Sequence, residues 1–354
     1  MKKKCTPIDF MLLARQRNGE LPLLRQFMEA VILFVGRGVG LGYYQTAGFW
    51  RRDLPWKVKA GQLSAKEYRA AVGALNPTAY RKLSQYKVAE KALLRLFKVP
   101  CSEYLGLYSA SNGQSAEGNP LKSPQDLTNF LSGLPELARV CFKPLEGWGG
   151  RGFEVVQIKA EDGTRVLERA ATGEAMEVAE FCRLVIDRLH GGNSVMERYL
   201  EQHPAMARFN PSSVNTLRLW VLQRHGSRPE VILGFLRIGR NGALVDNHSA
   251  GGIVVPLDLE CGRLSKAIDG LPGRHTFSVH PDHGAPIEGE RIPFFEESIA
   301  LAARCLLPFA PMRFAGVDIA IAADGPRVIE LNVSPDREGA AFTDTPTRDL
   351  FSRL

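Results

Sequence analysis

The chain has 354 residues, 45% of them hydrophobic and 23% charged, with a formal net charge of +7 and an isoelectric point near 9.1. That length supports two or three separate cores, and the composition is that of an ordinary globular protein rather than a disordered or fibrous one. The positive balance suits anionic ligands such as nucleotide phosphates. No zinc-finger spacing, ribonucleoprotein signature or long basic block accompanies it, so no nucleic-acid partner is expected. Cys5, Cys101, Cys141, Cys182, Cys261 and Cys305 stand singly with no CxxC pair, as in a reduced, cytoplasmic protein. Lys2, Lys3 and Lys4 lead into no proper apolar stretch, so a signal peptide is not expected. The apolar run Phe27–Val35 is too short to span a bilayer, and no membrane partner is expected.

Residues 1–82 read as interrupted helices. Pro22–Val35 carries an apolar stripe at helical spacing, and the glycines of Gly36–Gly42 end it. A dinucleotide fingerprint is disfavoured there, because no long helix follows and no acidic residue stands about twenty positions on. Ser64 with Glu67 makes a capping box for a helix to Leu75, which Asn76-Pro77 closes. Ser84–Phe97 reads as one amphipathic helix, with Lys87 and Lys91 one turn apart on the same face. Val99-Pro100 then begins an extended segment, and Ser111–Pro124 is a loop rich in Ser, Gly, Asn and Pro.

Arg139–Lys143 and Phe153–Ile158 read as strands joined by a loop that contains Gly147, Gly149, Gly150 and Gly152. Glycines let backbone N–H groups approach phosphate oxygens, and Lys143 at the strand end adds a point charge. The lysine precedes the glycines, which excludes a Walker A loop. A plain glycine-rich hairpin is the other reading. Gly173–Arg188 is expected to be helical, and Ser194–Leu200, Ser213–Val221, Val231–Ile238 and Ile253–Leu257 are expected strands. Alternation along Ser213–Val221 puts Asn215 and Arg218 on opposite faces. Pro281 between His280 and His283 spoils helical spacing, so no metal pair is expected there. Pro293–Leu307 reads as an amphipathic helix.

The last β-ribbon pairs Ala315–Ala322 with Arg327–Val333 around Asp324-Gly325-Pro326. A loop of those three residues sets Asp318 opposite Asn332, with Glu330 diagonally adjacent. Two carboxylates and an amide oxygen on one face make a hard-oxygen site suited to magnesium. The other reading is a hairpin whose polar side faces water.

The pattern GVDI…DG…VIELN resembles the magnesium-binding end of the ATP-grasp superfamily, and is most similar to its sugar-transfer-associated family, from about Arg81 to the C-terminus. The resemblance implies an α+β ATP-grasp fold, in which two α+β lobes with antiparallel sheets clasp ATP behind a mainly helical N-terminal region. The boundaries it implies are residues 1–82 for that region, 83–200 for the lid with the Gly-rich loop, and 201–354 for the lobe with the metal site. It also implies that Lys91 and Lys143 reach the phosphates under Gly147, Gly149, Gly150 and Gly152. Glu197, Arg198, Tyr199 and Leu200 would line the adenine pocket, with Glu201 on the ribose hydroxyls. Asp318, Glu330 and Asn332 would hold Mg2+, Arg218 would contact the transferred phosphoryl group, and Asn247 and His248 would border the substrate. The implied activity is an ATP-dependent carboxylate–amine ligase that acts on small molecules through an acyl phosphate. A small-molecule kinase or a catalytically silent nucleotide-binding module are the alternatives. The acid, the amine, its base and the oligomeric state are not legible in the sequence.

Overall fold

The computed structural model describes residues 20–147, 152–161, 163–184, 189–270 and 274–352. Within them the chain forms two antiparallel sheets of seven strands each. The first comprises β1 (Tyr104–Ser109), β2 (Gln114–Ser115), β3 (Arg139–Pro144), β4 (Glu154–Glu161), β5 (Thr164–Arg169), β6 (Ala175–Glu177) and β7 (Asn193–Arg198), in the order β2-β1-β7-β3-β4-β5-β6. The second comprises β8 (Thr216–Leu222), β9 (Glu230–Ile238), β10 (Ile253–Pro256), β11 (Ala267–Ile268), β12 (Thr276–Phe277), β13 (Phe314–Ala322) and β14 (Gly325–Asn332), in the order β12-β11-β10-β9-β8-β13-β14.

Helices cover one face of the first sheet. Leu127 and Leu131 of the helix Pro124–Ser132, with Phe181 of the helix Val178–Leu184, pack on Val140, Phe142, Val156 and Ile158. The second sheet is covered on both faces. Leu94 of the helix Lys87–Leu96 and Leu301 of the helix Phe295–Arg304 bury Leu217, Leu219, Val317 and Ile319. Tyr68, Val72 and Leu75 of the leader helix Ala65–Leu75 bury Trp220, Leu222 and Phe314 on the other side. Two covered faces explain why β13 reads as almost unbroken apolar sequence, since every residue from Phe314 to Ile321 is buried.

Local sequence sets the element ends. The capping boxes of Ser64 with Glu67 and of Ser123 with Asp126 are both formed. Gly38 takes a left-handed conformation at φ 65° and closes the helix Leu23–Arg37, its N–H and that of Val39 bonding to Phe34 O and Leu33 O. The expected single helix Ser84–Phe97 is instead two, Lys82–Gln85 and Lys87–Leu96, because Tyr86 takes an extended ψ of 101°. The expected helix Gly173–Arg188 is shortened for a tertiary reason: Ala175–Glu177 pairs with β5 as an edge strand. Its residues 185–188 lie outside the described residues.

Asn76, fully buried, binds the leader to the start of β13 and the end of β14 in the second sheet. Its amide donates to Phe314 O at 2.7 Å and Val333 O at 2.6 Å, and its oxygen accepts from the N–H groups of Arg313 at 3.0 Å and Phe314 at 3.1 Å. Asn76→Ala leaves those buried backbone groups unpaired. Urea unfolding is expected to show a loss of about 3 kcal/mol, and a loss below about 1 kcal/mol would contradict this role.

Candidate active site

The β13–β14 turn is Ala323-Asp324, with Ala322 opposite Gly325 and Ile321 opposite Pro326. It is two residues long, not the three expected. An even loop alone would set Asp318 opposite Ile329 and turn the two carboxylates to opposite faces. A β-bulge between Asp318 and Ile319 on one side, and Glu330 and Val328 on the other, restores the shared face by inserting Ile329. Asp318 therefore stands directly opposite Glu330, and Asn332 opposite Gly316. The expected register of Asp318 with Asn332 is corrected accordingly.

On its other edge Asp318 faces Arg218 of β8, so Arg218, Asp318 and Glu330 form a row across three strands. Arg218 grips Asp318 in a fork, Nε on Oδ1 and Nη2 on Oδ2 at 2.8 Å. Arg237 of β9 places its Nη2 on the same Oδ2 at 2.9 Å. Arg237 also donates to Thr216 Oγ1 at 2.9 and 3.1 Å and to Asn247 Oδ1 at 3.1 Å, and lies 3.1 Å from Asp246 Oδ1. Asp246 accepts in turn from the N–H of Thr216 at 3.0 Å and from its hydroxyl.

Burial alone would raise the pKa of Asp318, but the two guanidiniums outweigh it and hold the carboxyl below its ordinary range. Glu330 goes the other way: burial first, then the charge of Asp318 opposite, push its pKa up. Two carboxylates facing each other in a half-buried hairpin present a site for a cation. The donors fit magnesium in kind: Asp318, Glu330 and, two residues along the same face, Asn332. Asn332 Oδ1 accepts from the N–H of Ser334 at 3.0 Å. Among the described residues, no group of three or more His, Cys, Asp or Glu side chains could hold a metal by itself.

The first sheet supplies the opposite wall. Lys143 of β3 contacts Glu197 Oε2 at 2.6 Å, and Ser102 donates to the same oxygen at 2.6 Å. Lys91 donates to Ser102 Oγ at 2.9 Å and to Ile329 O, the bulge carbonyl, at 2.6 Å, with Glu197 Oε1 at 3.6 Å. Burial works against the charge of Glu197, yet Lys143 and Lys91 bring its pKa down to about 2. Glu197 thus serves two lysines as a buried counterion and also borders the cleft. Lys91, 1% exposed and enclosed by these partners, does not line the cleft. The helix lysine that does is Lys87, one turn earlier, with Nζ 3.4 Å from Gly147 O and a pKa lowered mainly by burial.

The cleft between the sheets holds about 890 Å3 of empty space, counted with the solvent at its open mouth. Gly147, Arg198, Tyr199, Leu200 and Asn247 line it with the groups above. Arg198 turns its Nε to Glu103 at 2.7 Å, and the Arg139 guanidinium lies 3.9 Å over the Tyr199 ring. Glu201, with its side chain 71% exposed and paired to Arg139, and His248, whose Nδ1 meets Gly252 O at 3.1 Å, stand off the cleft wall. Gly147 at φ 144° and Gly152 at φ 73° occupy conformations that favour glycine. Gly149 and Gly150 lie outside the described residues. His280 and His283 stack at 4.0 Å with their Nε2 atoms at backbone carbonyls, which is a packing arrangement.

Sequence reasoning missed Arg237, Thr216, Asp246 and Ser102. The signal for Arg237 was present: a lone arginine in the apolar run FLRIG repeats the setting of Arg218 in TLRLW.

Glu90 supports this ribbon from behind, its Oε1 accepting from the N–H of Leu331 at 2.6 Å. Burial pushes its pKa up to about 7, partly countered by Lys91. A carboxyl raised above its ordinary 4.5 in the fold contributes stability that is complete below that value and lost as pH rises through about 7. Glu90→Gln keeps the acceptor and removes the charge. Between pH 5 and 8 the parent should lose on the order of 3 kcal/mol relative to the variant in urea unfolding, and parallel pH profiles would contradict this.

Comparison with known proteins adds the family. An ATP-grasp ligase, PsnB, complexed with minimal precursor shares 14% identity at a TM-score of 0.41, over 78% of this chain and 63% of that one. The ADP complex of purK, an N5-carboxyaminoimidazole ribonucleotide synthetase, shares 15% at 0.38, over 73% and 47%. D-alanyl-alanine synthetase A from Vibrio cholerae shares 10% at 0.39, over 72% and 56%. The chain thus spans less than two thirds of each of these proteins. No curated protein matches it. The profile of the sugar-transfer-associated ATP-grasp proteins matches residues 72–346, and the chain belongs to that family.

Proposed function

We propose that the chain is an ATP-dependent ligase that joins a small-molecule carboxylate to an amine through an acyl phosphate, with release of ADP and phosphate. The observation that carries this reading is the pair Asp318–Glu330, held across the ladder by Arg218, in one cleft with Arg237, Lys87 and Lys143. Condensing a carboxylate with an amine in water is uphill because the departing oxygen is a poor leaving group. Transfer of the γ-phosphoryl group of ATP to a carboxylate oxygen makes phosphate the leaving group. The amine nitrogen then attacks the acyl carbon, the C–O bond breaks, and the amine loses its proton.

The protein's part in such transfers is charge neutralisation and alignment. Lys87 and Lys143 hold the triphosphate, with Glu197 keeping Lys143 charged and in place. Magnesium, when bound with the nucleotide, supplies neutralisation of phosphate charge, and Asp318, Glu330 and Asn332 would hold it. Arg237 lines the cleft, and with Arg218 it offers planar donors to the carboxylate or the phosphoryl group in flight. Tyr199 and Leu200 give the adenine an apolar wall, and Glu201, paired to Arg139 outside the cleft, takes no part in this reading. Asn247 borders the acceptor, with His248 behind it.

A covalent protein intermediate is disfavoured. Cys141 is the cysteine on the cleft wall, and burial pushes its thiol up to about 11, so it is not a thiolate near neutral pH.

An ADP-release screen across amino acids, peptides and amino sugars is expected to find a pair of substrates that turns over. With the acid, MgATP and hydroxylamine in place of the amine, a hydroxamate should form. ADP release without hydroxamate, together with a stable phosphorylated product, would assign phosphoryl transfer to a hydroxyl instead. No ADP release with any acceptor would leave nucleotide binding alone. Glu330→Gln is expected to lower turnover at least about a hundredfold with the melting temperature retained.

The two helix lysines separate cleanly. Lys87→Ala should weaken ATP binding about tenfold or more with little effect on stability, whereas Lys91→Ala should lower the melting temperature by removing the partner of a buried carboxylate. The opposite pattern would return the phosphate role to Lys91.

A further inference from the structure

The helix Leu23–Arg37 is packed with its polarity reversed. Its buried positions are Gln26, Glu29, Ala30 and Leu33, while Leu23, Leu24, Phe27, Met28, Val31, Ile32, Phe34 and Val35 are 40–79% exposed. With successive residues turned by about 100°, those eight side chains fill one continuous half of the circumference. Amphipathic helices of globular proteins place that half inward. Here the inward half is fixed by polar anchors. Glu29 accepts from Lys59 Nζ at 2.8 Å and Tyr44 Oη at 3.2 Å, and Gln26 donates to Leu21 O at 2.7 Å. These bonds hold the helix with its apolar side to solvent, so the exposure is built in.

Charge indicates what covers this face. Arg25 and Arg37 lie just beyond its two edges, both exposed. The one acidic side chain of the helix, Glu29, is buried and shared between Lys59 and Arg25, whose Nε is 3.1 Å from it. The short helix Trp56–Ala60, packed alongside, exposes Trp56 and Lys57, and the exposed Arg52 donates to Glu20 O at the start of the helix. In sequence, the twenty-two residues ahead of the helix carry five basic side chains against two acidic. A wide apolar face rimmed by arginines, with an aromatic residue beside it, has the chemistry of a helix lying in the interface of an anionic bilayer.

We propose that the chain docks on anionic membrane surfaces through the outward face of Leu23–Arg37. Among the described residues no helix is long and apolar enough to cross a membrane. The sequence expectation of no membrane partner rested on that length, which a helix lying flat does not need. The proposal is independent of the ligase reading.

The full chain is expected to co-sediment with mixed phosphatidylcholine–phosphatidylglycerol vesicles, and not with phosphatidylcholine vesicles at the same lipid concentration, with binding weakened by salt. Phe27→Glu combined with Ile32→Glu alters exposed positions, and should reduce binding at least tenfold with the melting temperature unchanged. Arg25→Gln combined with Arg37→Gln leaves the apolar face intact, and should weaken binding to the mixed vesicles roughly thirtyfold. No co-sedimentation, or binding undiminished by F27E/I32E, would overturn the proposal. A dimer in light scattering that F27E/I32E dissociates, without vesicle binding, would assign the face to a second copy and overturn it equally.

Discussion

The second sheet is organised around a buried negative charge on β13, the strand next to its edge. Asp318 occupies the centre of a strand buried from Phe314 to Ile321, where an unpaired carboxylate would not be tolerated. Its neighbours follow from that constraint. Arg218 lies directly across the ladder, Arg237 reaches over from the next strand, and Thr216, Asp246 and Asn247 in turn satisfy Arg237. Buried ion networks of this kind are poor devices for stability, because desolvation offsets much of the attraction. Their presence here, with Asp318, Arg237, Thr216, Asp246 and Asn247 lining the cleft, is better explained by what the charges face than by what they hold up.

The first lobe repeats the scheme with the signs exchanged. There the central charge is Glu197, fully buried between β1 and β3, and lysines converge on it. Lys91 joins the two systems, since it contacts Glu197 of the first sheet and the bulge carbonyl of Ile329 in the second. The bulge is thus fixed from behind by Lys91 and Glu90, and it is the bulge that turns Glu330 toward Asp318. Helix Lys87–Leu96 accordingly has two functions at different depths. Its inner lysine bonds the bulge carbonyl of Ile329, and its outer lysine is presented to the cleft.

Much of this was legible in the sequence, and the failures have physical causes. Strong local signals, such as the Ser64 and Ser123 caps and the β-branched runs of β8, β9, β13 and β14, located their elements to within a few residues. The α+β architecture of two antiparallel-sheet lobes was implied by the family resemblance that the ordered motifs carry. Register was not legible. A two-residue turn plus a bulge and a three-residue turn without one both bring Asp318 and Glu330 to one face, and only long-range pairing distinguishes them. Lys87 and Lys91 lie on one helical face at the level of periodicity, and burial against β14 separates them. Arg237 and Asp246 were overlooked because each is ordinary where it stands in sequence and is assigned only by its cross-strand neighbours. The reversed helix Leu23–Arg37 misled differently: its apolar stripe was read correctly, but periodicity does not say which side of a stripe meets the protein.

The central claim is that Asp318 and Glu330 act as a cation-holding pair for a nucleotide in the cleft. Calorimetric titration of ADP with and without magnesium, into the parent chain and into Asp318→Asn, tests it most directly. The account predicts that magnesium tightens ADP binding to the parent and that the substitution abolishes this dependence while leaving metal-free binding in place. Equal affinity of the parent chain with and without magnesium, or a magnesium effect that survives in Asp318→Asn, would contradict it.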